Sequence, residues 1–228
     1  IASMFTSLYT VQHNVKGFGD VINSELYTLP KSMSDKGYYT VGFSNNIMIR
    51  AVANFHLGFN YFEYLHPSQV IQSDPEAPGF HFLTILHDFL KRKLVDNEGL
   101  VSFYYRDADY TSRKVINWVD NNKDKRFFMF LHYMDPHAPY FNHPYDGKFY
   151  ILPPENNAEE VRADIFKTYK GEVEFTDNAL GALFSHFKKS GKYDNTMIVL
   201  TSDHGDEFYE HGWWDHGHSL YDELIHAP

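Results

Sequence analysis

Two stretches of this chain are apolar at nearly every position, and they constrain its fold more than any other feature. Phe127-Phe128-Met129-Phe130-Leu131-His132-Tyr133 and Thr196-Met197-Ile198-Val199-Leu200-Thr201 do not alternate apolar with polar side chains. A strand with one wet face alternates; a parallel strand covered by helices on both faces does not. Tyr38-Tyr39-Thr40-Val41-Gly42-Phe43 is read as a third such strand. Helical stretches lie between them. Residues 110–121 carry Val115, Ile116, Trp118 and Val119, with Thr111 or Ser112 as N-cap. Residues 158–190 carry Val161, Ile165, Phe166, Tyr169, Val173, Phe175, Leu180, Leu183, Phe184 and Phe187 at mostly helical spacing. Gly191 stops that helix, and Gly171 or Gly181 is where it would bend. Strands alternating with helices predict an α/β fold with a mostly parallel central sheet.

All carboxyl ends of parallel strands point to one edge, where ligands bind. Each run is followed by polar residues, so Asn45 and Asn46, His137, and Asp203 with His204 are expected at one rim. Residues 139–157, rich in Pro, Asn and aromatics, read as a long loop over that rim. Composition narrows the field further. An apolar share of 43% with 22% charged residues is that of a globular chain. A net charge of −10 argues against a nucleic-acid partner, which would demand a basic stripe. No apolar run approaches the ~18–20 residues of a membrane span. Without Cys there is no disulfide, zinc–thiolate site or Cys nucleophile within these residues.

Five of the 14 His fall between Ser202 and His226. Asp203-His204 closes a strand and opens a Gly turn, and two readings stand. Carboxylate oxygen and imidazole nitrogen together suit a divalent ion. Taken as an isolated pair, they favour the other reading, in which Asp203 caps a helix beginning near Glu207 and His204 is merely adjacent. Asp206, Glu207 and Glu210 are either further ligand capacity or, the favoured reading, the acidic first turn of that helix, suited to its dipole. Glu210 to His218, with two Gly and two adjacent Trp, reads as a loop displaying imidazoles, one or two of His211, His216 and His218 being structural. His137, between two prolines, is rigidly presented.

These residues carry a resemblance. Residues 127–140, ending Met134-Asp135-Pro136-His137-Ala138-Pro139-Tyr140, resemble the sulfatase branch of the alkaline-phosphatase superfamily, as does Thr201-Ser202-Asp203-His204-Gly205-Asp206-Glu207-Phe208-Tyr209-Glu210-His211-Gly212. Ser219-Leu220-Tyr221-Asp222-Glu223 extends the match, and Ser3-Met4-Phe5-Thr6-Ser7-Leu8-Tyr9 is similar to the helix behind that family's nucleophile. The resemblance implies an alkaline-phosphatase-like three-layer α/β sandwich. It implies metal-dependent hydrolysis of sulfate esters: in-line attack by an activated oxygen nucleophile, a covalent intermediate, and release by water. By the same resemblance Asp203 and His204 hold one divalent ion (Ca, Mn, Mg or Zn). His137 protonates the leaving oxygen, and His216 stands where many sulfatases hold a substrate oxygen with Lys. His211 and Asn46 are substrate-binding candidates. The partner is an anionic sulfate or phosphate ester.

Three departures shape the expectation. By the family's spacing, the nucleophile falls before Ile1 and an acidic metal-binding pair further upstream. Residues 1–228 are therefore expected to be the central part of one sulfatase-like catalytic domain, truncated at both ends and inactive alone, from an exported or membrane-anchored parent if it follows its relatives. Ile1 falls where formylglycine sulfatases carry Arg, and Asn45 and Asn46 stand where many carry Lys and His. These two differences fit an alternative within the superfamily: a phosphate or phosphonate ester hydrolase, or a phosphoglycerol- or phosphoethanolamine-type transferase. A second alternative is a metal-binding module without turnover.

Overall fold

The computed structural model describes residues 1–17, 19–66, 105–150 and 159–227. These divide into two compact units, Ile1–Met134 and Asp135–Pro228. The part of the expected rim loop at 151–157 lies outside the described residues.

The first unit contains α1 (Ala2–Thr6), α2 (Thr10–His13), α3 (Leu29–Asp35), β1 (Tyr39–Ser44), β2 (Tyr61–Tyr64), α4 (Ala108–Asn121) and β3 (Phe127–His132). The strands form one sheet in the order β2-β1-β3, parallel throughout. Tyr39 pairs with Phe127 and Ser44 with His132, so two of the three predicted strands lie side by side. The central strand is buried along almost its whole length, which is why it does not alternate. Strand β2, too short and too tyrosine-rich to read as an apolar run, completes the sheet. Gly42 is required there, because a Cβ would meet the ring of Phe62. Phe5 of α1 packs edge-on against Phe130, 4.8 Å between centroids, and also meets Phe55 and Phe59. Ala2, Phe5, Ile22, Ile49, Ala53 and Phe55 form the buried cluster beside that sheet.

Helix α4 begins earlier than predicted. Its cap is Asp107, whose carboxylate accepts from the Tyr110 N–H at 2.6 Å, while Thr111 and Ser112 are buried in its first turns. A carboxylate at this position both satisfies an orphan N–H and complements the dipole.

The second unit contains β4 (Tyr140–Phe141), β5 (Phe149–Tyr150), α5 (Glu159–Lys189), β6 (Glu207–Phe208), β7 (Trp214–Asp215) and α6 (Asp222–Ile225). Two short antiparallel pairs, β4–β5 and β6–β7, sit with one helix of 31 residues, about 46 Å long at 1.5 Å per residue. The helix runs unbroken through Gly171 and Gly181. Its buried stripe is Ile165, Thr168, Glu172, Thr176, Ala179, Leu183 and Phe187, spaced by three or four throughout. Phe166 and Val173, which the apolar pattern placed inward, are 44% and 43% exposed. Glu172 lies on the buried face instead, where it accepts from the Phe141 N–H at 2.6 Å. The core of this unit is aromatic: Tyr140, Ile165 and Trp214, ringed by Tyr150, Tyr169, Phe208 and Tyr209.

One expectation is corrected. Residues 196–201 pair with no strand among the described residues, and Met197 is 90% exposed. An apolar run becomes a strand only where a neighbour supplies the other half of the ladder. Among the described residues no helix is long and apolar enough to cross a membrane.

Candidate metal and oxyanion site

The second unit gathers three imidazoles. The rings of His204 and His216 lie 3.9 Å apart, His137 is 5.1 Å from His216, and His137 is 6.1 Å from His204. One nitrogen from each falls within 4.8 Å of the others, close enough to share an ion. Four local features bring them together. His137 precedes β4 in its Pro-flanked turn, and His216 follows directly on β7. His204 sits before β6, where the Gly205 N–H donates to Leu224 O at 2.9 Å. A Cβ on residue 205 would collide with the Glu223 carbonyl oxygen, so the glycine is what lets this turn close against α6.

Hydrogen bonds to carbonyls fix two tautomers. The Ala138 carbonyl lies 2.6 Å from His137 Nδ1 and the Gly205 carbonyl 3.0 Å from His204 Nδ1. A carbonyl can only accept, so in both rings Nδ1 carries the proton and Nε2 keeps its lone pair in the neutral form. Metal-ligating histidines are oriented in this way by a carbonyl behind them. Asp203 Oδ1 lies 3.9 Å from His204 Nε2, and the carboxylate is 41% exposed. Two donors each about 2–2.5 Å from one ion sit no more than about 5 Å apart, so this pair fits a divalent ion.

His216 has different chemistry. Its Nδ1 is 2.7 Å from Asp206 Oδ1 and 2.6 Å from Asp215 Oδ1. The hydrogen bond to Asp206, then the contact with Asp215, outweigh burial and push the imidazole up to about 10. It is a fixed cation at neutral pH. Asp206 has an opposing pair of influences. Burial raises its pKa, but hydrogen bonds from His216 and Tyr140 prevail and hold it below the usual carboxylate range. Burial and the neighbouring Asp206 carboxylate raise the Tyr140 hydroxyl, which stays a donor.

The acidic residues after Gly205 do not start a helix. Glu207 begins β6 and is fully buried, accepting from the N–H groups of His211 and Trp213, each at 2.9 Å. Its second oxygen lies 2.9 Å from His218 Nε2, so His218 supports the hairpin. Asp206, Glu207 and Asp215 are the residues that sequence reasoning missed. Their only signal was the alternation of acid and imidazole through 203–218, which composition alone also produces. His211 stacks on Tyr221 at 3.6 Å, with Nδ1 3.7 Å from Glu223 Oε2, and is not among the three converging rings. Asn46 belongs to the first unit, where its side-chain oxygen accepts from the Met48 N–H. Asn45 is buried and donates to Arg106 O and Thr111 Oγ1, tying β1 to α4.

A serine–histidine pair in the first unit is not a nucleophile and its base. Ser3 Oγ lies 2.8 Å from His13 Nε2, but the Val15 N–H donates to His13 Nδ1 at 3.0 Å. That leaves the proton on Nε2, which donates to the serine.

The Sulfatase family profile matches residues 1–228, the whole chain. The chain belongs to the sulfatase family. Among curated sulfatase-family relatives, an arylsulfatase of Clostridium perfringens is 23% identical over 95% of this chain and 54% of its own length. Two solved structures cover all of this chain. A protein crystallised with its substrate D-glucosamine-2-N,6-O-disulfate has a TM-score of 0.67 at 16% identity, over 59% of that chain. The phosphonate monoester hydrolase of Agrobacterium radiobacter has a TM-score of 0.64 at 16% identity, over 56% of that chain. These neighbours share the α/β alkaline-phosphatase-like fold. The chain spans 32%, 43% and 54% of three curated sulfatase relatives.

Proposed function

We propose that this sulfatase-family chain forms part of the catalytic domain of a divalent-metal-dependent hydrolase of sulfate esters. The observation that carries the reading is the convergence of His137, His204 and His216 beside Asp203 in a chain that matches the family over its full length. Asp203 and His204 would hold the ion, His204 through the Nε2 that its carbonyl-bound Nδ1 leaves free. When bound, a divalent ion supplies Lewis-acid charge against the ester oxygens.

The residues do the rest. His216, cationic between two carboxylates, holds a non-bridging ester oxygen as a charge-assisted donor through Nε2. His137, with Nδ1 on the Ala138 carbonyl, presents Nε2 to the leaving oxygen and delivers a proton to it when protonated. The His216 imidazolium and a bound divalent ion would supply positive charge at the site, which lets a chain of net charge −10 take an anionic substrate. The nucleophile is assigned to none of these residues. His211 and Asn46 remain proposed substrate contacts.

A second reading, phosphate or phosphonate esters, is favoured by the setting of Asn45, which is sealed under α4 and offers no cation after β1. The test uses the full-length protein with 4-nitrophenyl sulfate, 4-nitrophenyl phosphate and a phenylphosphonate monoester, before and after chelation. Chelator-sensitive turnover highest on the sulfate supports the first reading. A preference for phosphorus esters moves the assignment to the second, and turnover of none of them overturns both.

A further inference from the structure

Asp206, like Glu207, has both carboxylate oxygens engaged, but of the two only Asp206 hydrogen-bonds one of the three converging imidazoles. Its side chain is 5% exposed. Oδ1 accepts from His216 Nδ1 at 2.7 Å, and Oδ2 accepts from the Tyr140 hydroxyl at 2.6 Å. Tyr140 is itself fully buried, with its ring against Tyr169, Phe208 and Trp214 at 5.6, 5.9 and 6.2 Å. A carboxylate bonded at both oxygens cannot rotate without breaking two hydrogen bonds, and its anchor sits in a packed aromatic core.

We propose that Asp206 and Tyr140 are a positioning pair that fixes the ring of His216 with Nδ1 inward, leaving Nε2 as its only nitrogen for an ester oxygen. The proposal rests on the ester-hydrolysis reading of this site. It separates Asp206 from Asp203, three residues earlier. Asp203 is exposed beside a free imidazole nitrogen. The His204 nitrogen nearest Asp206 is Nδ1, at 4.0 Å, and that atom is already 3.0 Å from the Gly205 carbonyl. Asp206, Asp215 and His216 bring three ligand atoms together, but with its proton on Nδ1 the His216 nitrogen between the two carboxylates donates to them and has no lone pair for an ion. Asp215 Oδ1 also reaches His216 Nδ1, but the Tyr140 hydroxyl donates to Asp206 and not to it.

The experiment uses the full-length enzyme with Asp206→Asn and Tyr140→Phe, each made in the wild type and in His216→Ala. Losing a partner that orients a site residue typically costs about 10–100-fold. D206N is expected to lower kcat/KM within that range and Y140F by a few-fold, both with wild-type metal content. Neither should add to the loss in His216→Ala, since each acts through that ring. Additive losses, or loss of metal in D206N, would overturn the proposal. Nitrogen-15 NMR of the His216 ring reads the pair without turnover: a protected Nδ1–H in the wild type should be lost in D206N. An unchanged signal gives the anchoring to Asp215 and refutes the pair. If the wild type hydrolyses no ester, the functional reading fails and the ring signal still decides this one. Should D206N not fold, Y140F, which keeps the ring packing, carries the test.

Discussion

Two of the histidine–carboxylate pairs in the second unit have nearly the same length and different roles. His216 Nδ1 is 2.7 Å from Asp206, and His143 Nε2 is 2.6 Å from Glu172. Their surroundings differ. His143 lies flat on Phe175 at 3.8 Å, and Glu172 is fully buried on α5, where it also accepts the Phe141 N–H at 2.6 Å. Asp135 offers a third ligand atom there, so by composition alone both clusters could hold a cation. The His216 cluster adds two more imidazoles with free Nε2 atoms and the exposed Asp203; the Glu172 cluster knits a hairpin to a helix. The short contact is common to structure and to chemistry. Access separates the two: the three imidazoles are half-buried and Asp203 is exposed, whereas Asp135 and Glu172 are buried.

If that distinction is right, removing His204 has the largest effect. His204→Ala in the full-length protein should lose bound metal and several kcal/mol of transition-state stabilisation, a fall in kcat/KM of roughly a thousandfold or more. Wild-type metal content in that variant, read by elemental mass spectrometry, would exclude His204 as a ligand. His137→Ala should cost about a hundredfold on esters with poor leaving groups and little on 4-nitrophenyl esters, if it delivers a proton. An equal loss on both would reassign it to binding. On the other side of the comparison, Glu172→Ala strips a buried partner from His143 and Phe141. It should cost about 3 kcal/mol of stability, read in denaturant melts, with kcat per folded molecule unchanged. A large fall in kcat at unchanged stability would erase the difference between the clusters.

The smallest effect is in pH dependence. His216 holds its proton more tightly folded than unfolded, so its stabilising contribution is complete below its unfolded value of about 6.5. That contribution is lost as pH rises toward its folded value of about 10. In metal-free protein, the melting temperature of the wild type relative to His216→Gln should therefore fall between those limits. A flat difference would mean that the two carboxylates do not hold a charged ring.

Much of this was legible in the residues, and the misses share a cause. Tyr39–Ser44 was recognisable because burial on both faces leaves a local signature, and Phe127–His132, half-buried along its whole length, because its apolar run does not alternate. His204 and His216 stood out because five of the 14 imidazoles crowd into residues 202–226, and His137 because it lies between two prolines. Residues 196–201 carried the same apolar signature, but a strand needs a partner, and pairing is not written in one segment. Asp206 and Glu207 look like any acidic helix start; only the hairpin β6–β7 turns them inward onto His216, His218 and backbone N–H groups. The stripe on α5 was misassigned near its middle because Thr168, Glu172 and Thr176 face the interior and hydrophobicity does not mark them.

Anomalous diffraction at the manganese edge, from the full-length protein crystallised with Mn²⁺, tests the central assignment most directly. The predicted result is one strong peak about 2–2.5 Å from an Asp203 carboxylate oxygen and His204 Nε2. A peak at Asp135, His143 and Glu172 instead, or no peak beside His204, would contradict it.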